Sequence, residues 1–331
     1  MGRKCLLRLE LKTCRFAPVS RLLPTFLLSL ALLGPLCSWG QSEPKDSTHK
    51  RETLLEKFIY PPDTSGPKTD TSKKKVRILP LPSIGFSPET SLQLGSYNFL
   101  VFNLFPDQPN TRRSNMDFEV AYTLNNQFWT ESRFNFITSE EQWFFNGEVQ
   151  FHIFPENYYG LGNTSLADDE ENYDAKRLNI DISALKNLKP GKELFIGPRL
   201  RTLWMFDIES SLTDGFFANQ QVPGGDGGLY MGLGARFQWD QRKGYTVTNP
   251  RRGHFISLSA VGFQEGWLSD ASFALFEADF RKYWSPRTKV RDLFAWHLLG
   301  QAAPGAPPFR LMPMMGSSRH MRAYYAGRFR D

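Results

Sequence analysis

Apolar and polar residues alternate with a period of two through most of the chain after residue 76. The alternation is clearest at 116–124, 143–153, 177–183 and 274–281. A period of two is typical of β-strands with one apolar face, and no segment shows the i, i+3, i+4, i+7 spacing of an amphipathic helix. Weaker alternation occurs at 91–104, 127–137, 193–207, 228–240, 253–264 and 291–301. Together with the four clear segments, these ranges predict about ten strands.

Most of the predicted strands are long. They have roughly 10–14 residues, whereas strands of soluble proteins average about 5–6 and a tilted membrane-spanning strand needs about 9–11. Aromatic residues collect near strand ends, as at Tyr158-Tyr159 and Tyr283-Trp284, which is typical of the belts at membrane interfaces. A soluble β-sandwich or a lipocalin-like barrel has the same period of two. The alternation alone therefore does not show which face of the sheet meets water.

The first forty residues predict export. Positively charged residues precede an apolar run at 22–36, and Ser38-Trp39-Gly40 then offers small residues to a signal peptidase. A membrane anchor would need about 20 apolar residues. We therefore expect a cleaved signal peptide at 1–40. The Pro-, Lys-, Asp- and Ser-rich residues 41–77 predict a disordered periplasmic linker, and 78–331 the barrel domain.

Removal of the signal peptide changes the charge of the chain. The net charge is +6, but residues 1–40 hold six of the 40 Lys and Arg and one of the 34 Asp and Glu, so the rest carries 34 positive and 33 negative side chains. No basic surface for nucleic acid is predicted. The three cysteines, Cys5, Cys14 and Cys37, all lie in the predicted signal, so disulfides would not hold the exported chain.

Strand length, export and the lack of cysteines favour a bilayer over water as the surroundings of the apolar face. In hydrocarbon every backbone N–H and C=O must be paired, so only helices and closed sheets can span. The sequence therefore predicts an all-β fold, a transmembrane antiparallel up-and-down β-barrel, with outer-membrane lipids as its immediate partners.

Residues that carry chemistry are few, and they do not predict an enzyme. The five histidines form no H-E-x-x-H motif, and no G-x-S-x-G elbow is present. The stretch 224–228 lacks the Lys-Ser/Thr of a phosphate loop and is interpreted as a turn. We expect no cofactor and no metal site. His152 falls on the polar side of its strand, which is expected to face the lumen. For His297 the sequence does not decide between the two faces.

Four stretches together resemble a known family. They are 82–90, which precedes the first predicted strand, 154–163, 240–255 and the closing stretch 317–331, which reads S-S-R-H-M-R-A-Y-Y-A-G-R-F-R-D. They resemble the bacterial surface antigen family, which comprises outer-membrane barrels of assembly and translocation proteins of the BamA/TamA type. The resemblance spans residues 78–331.

The resemblance implies two groups of site residues. A hairpin motif between barrel strands is matched by Asp240, Arg242, Pro250 and Gly253. A signature at the tip of a long extracellular loop that folds back into the lumen is matched by Met321, Arg322, Ala323 and Tyr324.

In the second motif Arg322 and Tyr324 match the family. The resemblance implies that Arg322 pairs with acidic groups on the inner wall of the barrel. Ala323 replaces the usual glycine and Met321 the usual aliphatic residue. Alanine would be strained if that position requires a positive φ.

The chain departs from the family at both ends. Family barrels have sixteen strands, whereas about ten or eleven are expected here, so the resemblance implies a sequence truncated at its C-terminus. Family assembly proteins also carry periplasmic substrate-binding domains, for which 41–77 is too short.

The expected function is to assist insertion or transport of proteins or lipids at the bacterial outer membrane, with other outer-membrane or exported proteins as partners. The alternative is a passive pore or structural barrel.

Overall fold

The structure is a computed structural model. It describes residues 77–87, 90–105, 108, 111–163, 165–246, 249–286, 292–316, 321 and 323–331. The predicted signal peptide and all of the predicted linker except Arg77 lie outside these residues, so the domain division at 40 and 77 stays a prediction.

Most of the described residues lie in strands. They are β1 (Arg77–Ser87), β2 (Ser91–Phe102), β3 (Ser114–Thr123), β4 (Phe128–Ile137), β5 (Trp143–Ile153), β6 (Glu156–Tyr158), β7 (Glu171–Lys189), β8 (Leu194–Ser210), β9 (Gly228–Asp240), β10 (Lys243–Thr246), β11 (Asn249–Phe263), β12 (Phe273–Trp284), β13 (Phe294–Ala302), β14 (Met314–Met315) and β15 (Phe329–Arg330). Short 3-10 turns occur at Ser139–Glu141 and Ala167–Asp169. In this part of the chain, no helix has the length and apolarity to cross a membrane.

One antiparallel sheet contains the long strands, and each pairs with the next long strand along the chain. The order is β1-β2-β3-β4-β5-β7-β8-β9-β11-β12-β13, with β6 beside β7 and β10 beside β11, and β14 pairs separately with β15. This up-and-down antiparallel sheet confirms the predicted all-β fold class. Among the described residues β1 and β13 are not paired with each other, so the sheet is open.

The two faces of the sheet differ in chemistry. On β12, Glu277, Asp279 and Arg281 are partly buried on one face, whereas Phe276 and Phe280 are exposed on the other. Cross-strand partners share a face, so the register extends both faces across all eleven strands. We call the face with Glu277 the inner face and the opposite one the outer face.

The outer face is apolar over most of the sheet. No other described element covers it, and its large exposed side chains include Leu94, Phe118, Tyr122, Trp204, Leu233, Leu258, Phe276, Phe280, Trp284, Trp296 and Leu298. A soluble monomer rarely exposes a contiguous apolar surface of this extent. The alternation predicted from the sequence is therefore present, with the apolar positions outside.

The hydrophobic core lies on the inner face near one end of the sheet, where β5, β8 and β11 end. We call this the loop end. Side chains from the strands meet Val222, from the β8–β9 connection, and Phe309 and Leu311, which follow β13. The strand residues of the core are Tyr158, Tyr173, Ala175, Leu203, Met205, Tyr230, Val261, Phe263 and Phe273. The connections thus fold over the inner face.

One expectation about the strands is wrong. Sequence analysis placed residues 82–90 before the first strand, whereas residues 77–87 form β1, paired with β2 from Arg77↔Val101 to Ser87↔Ser91. Pro80 and Pro82 obscured the strand pattern, because a strand tolerates proline only where its N–H would face away from a neighbour.

Candidate functional site on the inner face

A network of charged side chains crosses the inner face from β3 to β5. Arg133 on β4 contacts Glu148 at 2.8 Å, Glu131 at 2.7 Å and Asp117 at 3.6 Å. These carboxylates come from three strands and occupy inner positions that the register aligns. One guanidinium therefore crosslinks three neighbouring strands.

The network continues from β7 to β12. Arg199 on β8 donates to both carboxylate oxygens of Asp181 at 2.9 and 2.6 Å and to Ser259 Oγ at 2.5 Å. Glu277 lies 3.7 Å from Arg199 and 3.9 Å from Arg236. Because a guanidinium offers five donors and keeps its charge, each inner arginine needs such partners to be buried.

His297 extends the network to β13. Its Nε2 lies 3.2 Å from Asp279 Oδ1, and Arg281 contacts the same carboxylate at 2.5 Å. The structure therefore places His297 on the inner face, which the sequence left open. The predicted inner position of His152 is confirmed, since its Nε2 lies 3.0 Å from Glu131 Oε1.

Glu156 is the centre of a second cluster, at the loop end. Arg177 on β7 and Arg310, which follows β13, both donate to its carboxylate, and Tyr173 Oη donates to it at 3.0 Å. Arg177 also contacts His152 Nδ1 at 2.7 Å. One buried carboxylate on β6 thereby links the segment after β13 to the wall of the sheet.

The electrostatics of Glu156 favour its ionised form. Burial by itself raises the pKa of this carboxyl, but Arg310 and Arg177 outweigh burial and lower the pKa to about 2. The pKa of Arg310 is raised, because its attraction to Glu156 outweighs the effect of burial, which lowers it. The ion pair between Glu156 and Arg310 therefore stays charged at neutral pH.

Arg330 is held differently. Its side chain is almost fully buried, and its guanidinium carbon lies 5.1 Å from the centres of both the Tyr158 and the Phe309 ring. Its three nitrogens have no hydrogen-bond partner among the described residues. A Cβ at Gly327, which has φ +76°, would lie 2.4 Å from Arg330 Nη2, so this approach needs glycine. Cation–π contacts stabilise this cation, which forms no ion pair with a carboxylate of the described residues.

The predicted loop signature lies only partly within the described residues. Arg322 is outside them, so its pairing with an acidic wall residue stays a prediction. Met321 has φ +52° and is 53% exposed, Ala323 is exposed, and the Tyr324 ring packs 5.8 Å from Phe329. The structure does not bring these three described residues into the Glu156 cluster.

Sequence reasoning missed the arginines that do reach the inner side. Arg310 and Arg330 enter the loop-end cluster, and Arg328 donates to Ser165 O at 2.9 Å and stacks on Tyr159 at 4.7 Å. The available signal was that Arg310 stands between Phe309 and Leu311, an unusual place for a solvated charge.

The predicted hairpin residues lie where β9 leads into β11. Arg242 donates to Asp240 Oδ1 at 2.8 Å and Oδ2 at 2.7 Å, and Asp240 is buried. Pro250 is also buried, on β11. Gly253 has φ +103°, and a Cβ there would lie 2.0 Å from Gln241 O. The structure thus gives a steric reason for glycine at position 253, and it pairs the Asp240 carboxylate with the Arg242 guanidinium.

The charged clusters are ion pairs and contain no metal site. Across the described ranges, no group of three or more His, Cys, Asp or Glu could hold a metal ion. The side chains crosslink strands and attach connections to the sheet, which is a structural role.

Comparison with known proteins gives a similarity of fold and no match of sequence family. No protein-family model and no curated protein matches the sequence. Among solved structures the chain is similar to BamA from Haemophilus ducreyi lacking POTRA domains 1–3, with a TM-score of 0.45 and 12% identity, covering 77% of this chain and 47% of that one. The chain thus spans about half the length of that chain. A similarity at this level carries no inference about what this chain does.

The Glu156 cluster generates a first prediction. Replacing Glu156 with Gln leaves Arg177 and Arg310 buried without their shared carboxylate, and we expect a loss of about 3–5 kcal/mol in the free energy of unfolding. Urea unfolding in detergent micelles measures this loss. The control is Glu148→Gln, where Arg133 keeps Glu131 and Asp117, with an expected loss below about 1 kcal/mol.

The same variant has a pH signature. The folded-state pKa of Glu156 lies below its ordinary value of 4.5, so its contribution to stability is present above pH 4.5 and is lost as the pH falls towards 2. The wild type should lose stability over this window, and Glu156→Gln should lose less. Equal costs for Glu156→Gln and Glu148→Gln, or the same pH profile for variant and wild type, would contradict the assignment.

A second prediction concerns the hairpin. Gly253→Ala forces a Cβ against Gln241 O at a positive φ, and we expect a loss of at least about 1–3 kcal/mol. Gly262→Ala on the same strand is the control, because no atom lies within 4 Å of its Cβ, and its effect should stay within about 0.5 kcal/mol. Urea unfolding compares the two, and a Gly253→Ala protein as stable as Gly262→Ala would refute the steric reason.

Proposed function

We propose that this protein is an outer-membrane β-barrel that assists the insertion or transport of proteins or lipids across the outer membrane of a bacterium. It acts without covalent chemistry, and its partners are outer-membrane lipids and exported proteins. The observation that carries the proposal is the apolar outer face of a sheet whose inner face is charged. The sequence resemblance described above suggests the same class of protein.

Strand length supports a membrane location. β9 has 13 residues and β12 has 12, and a tilted membrane strand needs about 9–11. Lipid-facing strands must have their backbone groups paired, and the continuous registers from β2 to β12 supply this pairing over most of their length.

Aromatic residues on the outer face support a membrane interface. Four tryptophans occupy outer positions near the end opposite the loop end, and they are Trp143, Trp239, Trp284 and Trp296. Lys186 pairs with Trp143 and Lys282 with Trp296 across neighbouring strands. Tryptophan and lysine at one level are typical of the headgroup region of a bilayer.

The packing at the loop end supports assisted transport over a passive pore. The core cluster and the Glu156 ion pairs fill the inner side there, and Phe309 is fully buried. A permanently open channel would need a water-filled path past these side chains. Transport through this protein would therefore require the segment after β13 to move.

The membrane location generates a third prediction. Leu258 lies in the middle of β11 on the outer face, and Lys at a bilayer midplane costs about 2–4 kcal/mol. We expect Leu258→Lys to lower the yield of folded protein inserted into lipid vesicles. The control is Gln301→Lys on the inner face, where Gln301 Nε2 lies 3.2 Å from Glu277. Equal insertion of the two variants would contradict a lipid-facing outer face.

A fourth prediction separates assisted transport from a passive pore. In planar bilayers the purified protein should show no steady open state, because the loop end is filled. Arg310→Met, which removes one tie between the segment and the wall, should increase brief openings. A steady ion-selective channel in the unmodified protein would favour the passive pore.

A further inference from the structure

Arg330 is a buried cation whose hydrogen-bonding capacity is unused. The residue is 1% exposed, and within the described part of the chain its Nε, Nη1 and Nη2 have no hydrogen-bond partner. A buried charge that is not paired is costly. The contacts with the Tyr158 and Phe309 rings, both at 5.1 Å, offset part of that cost. The five N–H donors of the guanidinium group therefore remain available to an acceptor.

The two ring contacts place Arg330 beside Glu156. Tyr158 is two residues from Glu156 on β6, so the two side chains lie on the same side of that strand. Phe309 is the neighbour of Arg310, which donates to both oxygens of the Glu156 carboxylate. The Arg330 guanidinium thus lies between a neighbour of the carboxylate and a neighbour of the arginine that now holds it.

Glu156 and Arg310 act in opposite directions on the charge of Arg330. Burial lowers the pKa of Arg330, repulsion from Arg310 lowers it further, and Glu156 raises it. Departure of Arg310 would remove the repulsion and would also free acceptor positions on the carboxylate. Both changes favour a direct contact between Arg330 and Glu156.

The two arginines are attached to different parts of the loop end. Phe309 N donates to Pro223 O at 2.8 Å, which attaches the segment with Arg310 to the β8–β9 connection. Gly162 N donates to Arg330 O at 2.7 Å, which attaches Arg330 to the β6–β7 connection. The pairing of β14 with β15 joins the two segments, but it lies beyond Arg310 along the chain. The attachment of Arg330 therefore does not depend on the contact with Pro223.

We propose that Arg330 replaces Arg310 at Glu156 when the segment after β13 leaves the wall of the sheet. In the closed state Arg310 and Arg177 hold the carboxylate, and Arg330 rests on the two rings. In the open state Arg330 turns onto the oxygens that Arg310 has left, and Arg177 stays in place. The proposal rests on the proposed function, which requires this segment to move. It deepens that function, because an exchange of partners makes opening less costly than the loss of a buried ion pair.

A titration of the Glu156 carboxyl group tests the exchange. The full protein is prepared in detergent micelles with isotope-labelled glutamate, and its carboxyl signals are followed by NMR as the pH changes. Glu156→Gln identifies the signal. The titration is compared for wild type, Arg310→Met, Arg330→Met and the double variant. Arg177 and Tyr173, which also donate to the carboxylate, are present in all of them.

The expected result is an effect of Arg330 that depends on Arg310. In wild type, Arg330→Met should change the pKa of Glu156 little, because Arg330 does not contact the carboxylate. In the Arg310→Met background the same substitution should raise this pKa by about one pH unit or more, because an opposite charge in contact lowers a carboxyl pKa by about 1–3 units. Arg328→Met is the matched control, since Arg328 donates to Ser165 O at 2.9 Å, and it should have little effect in either background.

One result would overturn the proposal. If Arg330→Met raises the pKa of Glu156 no more in the Arg310→Met background than in wild type, Arg330 does not take the place of Arg310. If Arg310→Met does not fold, Arg310→Gln gives the same comparison, because glutamine also lacks the charge. Insertion of Leu258→Lys into vesicles does not depend on Glu156, so failure of the exchange is distinguishable from failure of the proposed function.

Discussion

In a β-strand, successive side chains point to opposite faces, so every residue placed inside commits its neighbour to the outside. In this protein the inside is charged. Asp279 and Arg281 on β12 are neighbours of Phe280, and Arg199 on β8 is a neighbour of Leu200. Pairing the backbone into a sheet and burying the ion pairs on one face leaves a surface of leucine, phenylalanine and tryptophan on the other. Water is a poor solvent for that surface, and hydrocarbon is a good one.

The ion pairs decide how the connections fold over the inner face. Arg310 would be expensive to bury alone, but Glu156 lies within its reach, and Phe309 and Leu311 beside it enter the core. Charge pairing and apolar packing therefore act on consecutive residues of one segment. Because the same carboxylate also holds Arg177 on the wall, a movement of this segment must break a buried charge pair. That barrier is a physical basis for the closed state that we propose.

The sequence predicted what depends on local alternation. The strand predicted at 228–240 is β9 with the same bounds, and the strand predicted at 143–153 is β5. Local reasoning failed at β1, where Pro80 and Pro82 fit a strand because β1 has a neighbour on one side only among the described residues. Edge position is a property of the sheet and is not visible in a run of eleven residues.

The candidate site was predictable only in part, for a related reason. The positions of Asp240, Arg242 and Gly253 are close in sequence, and the structure gives them contacts. Glu156 and Arg310 are 154 positions apart, and Arg177 is 21 positions from Glu156. Nothing in the neighbourhood of any one of them identifies the other two. Pairing over such a distance follows from strand order and register, which the alternation pattern does not contain.

The claim that lipid surrounds the outer face can be tested most directly by its solvent requirement. The chain without residues 1–40 should be produced and examined by size-exclusion chromatography and circular dichroism, with and without detergent micelles. We expect aggregation in plain buffer and a monodisperse, β-rich species in micelles. A compact β-rich monomer in buffer alone would contradict the account, because the apolar face would then have to be covered by protein.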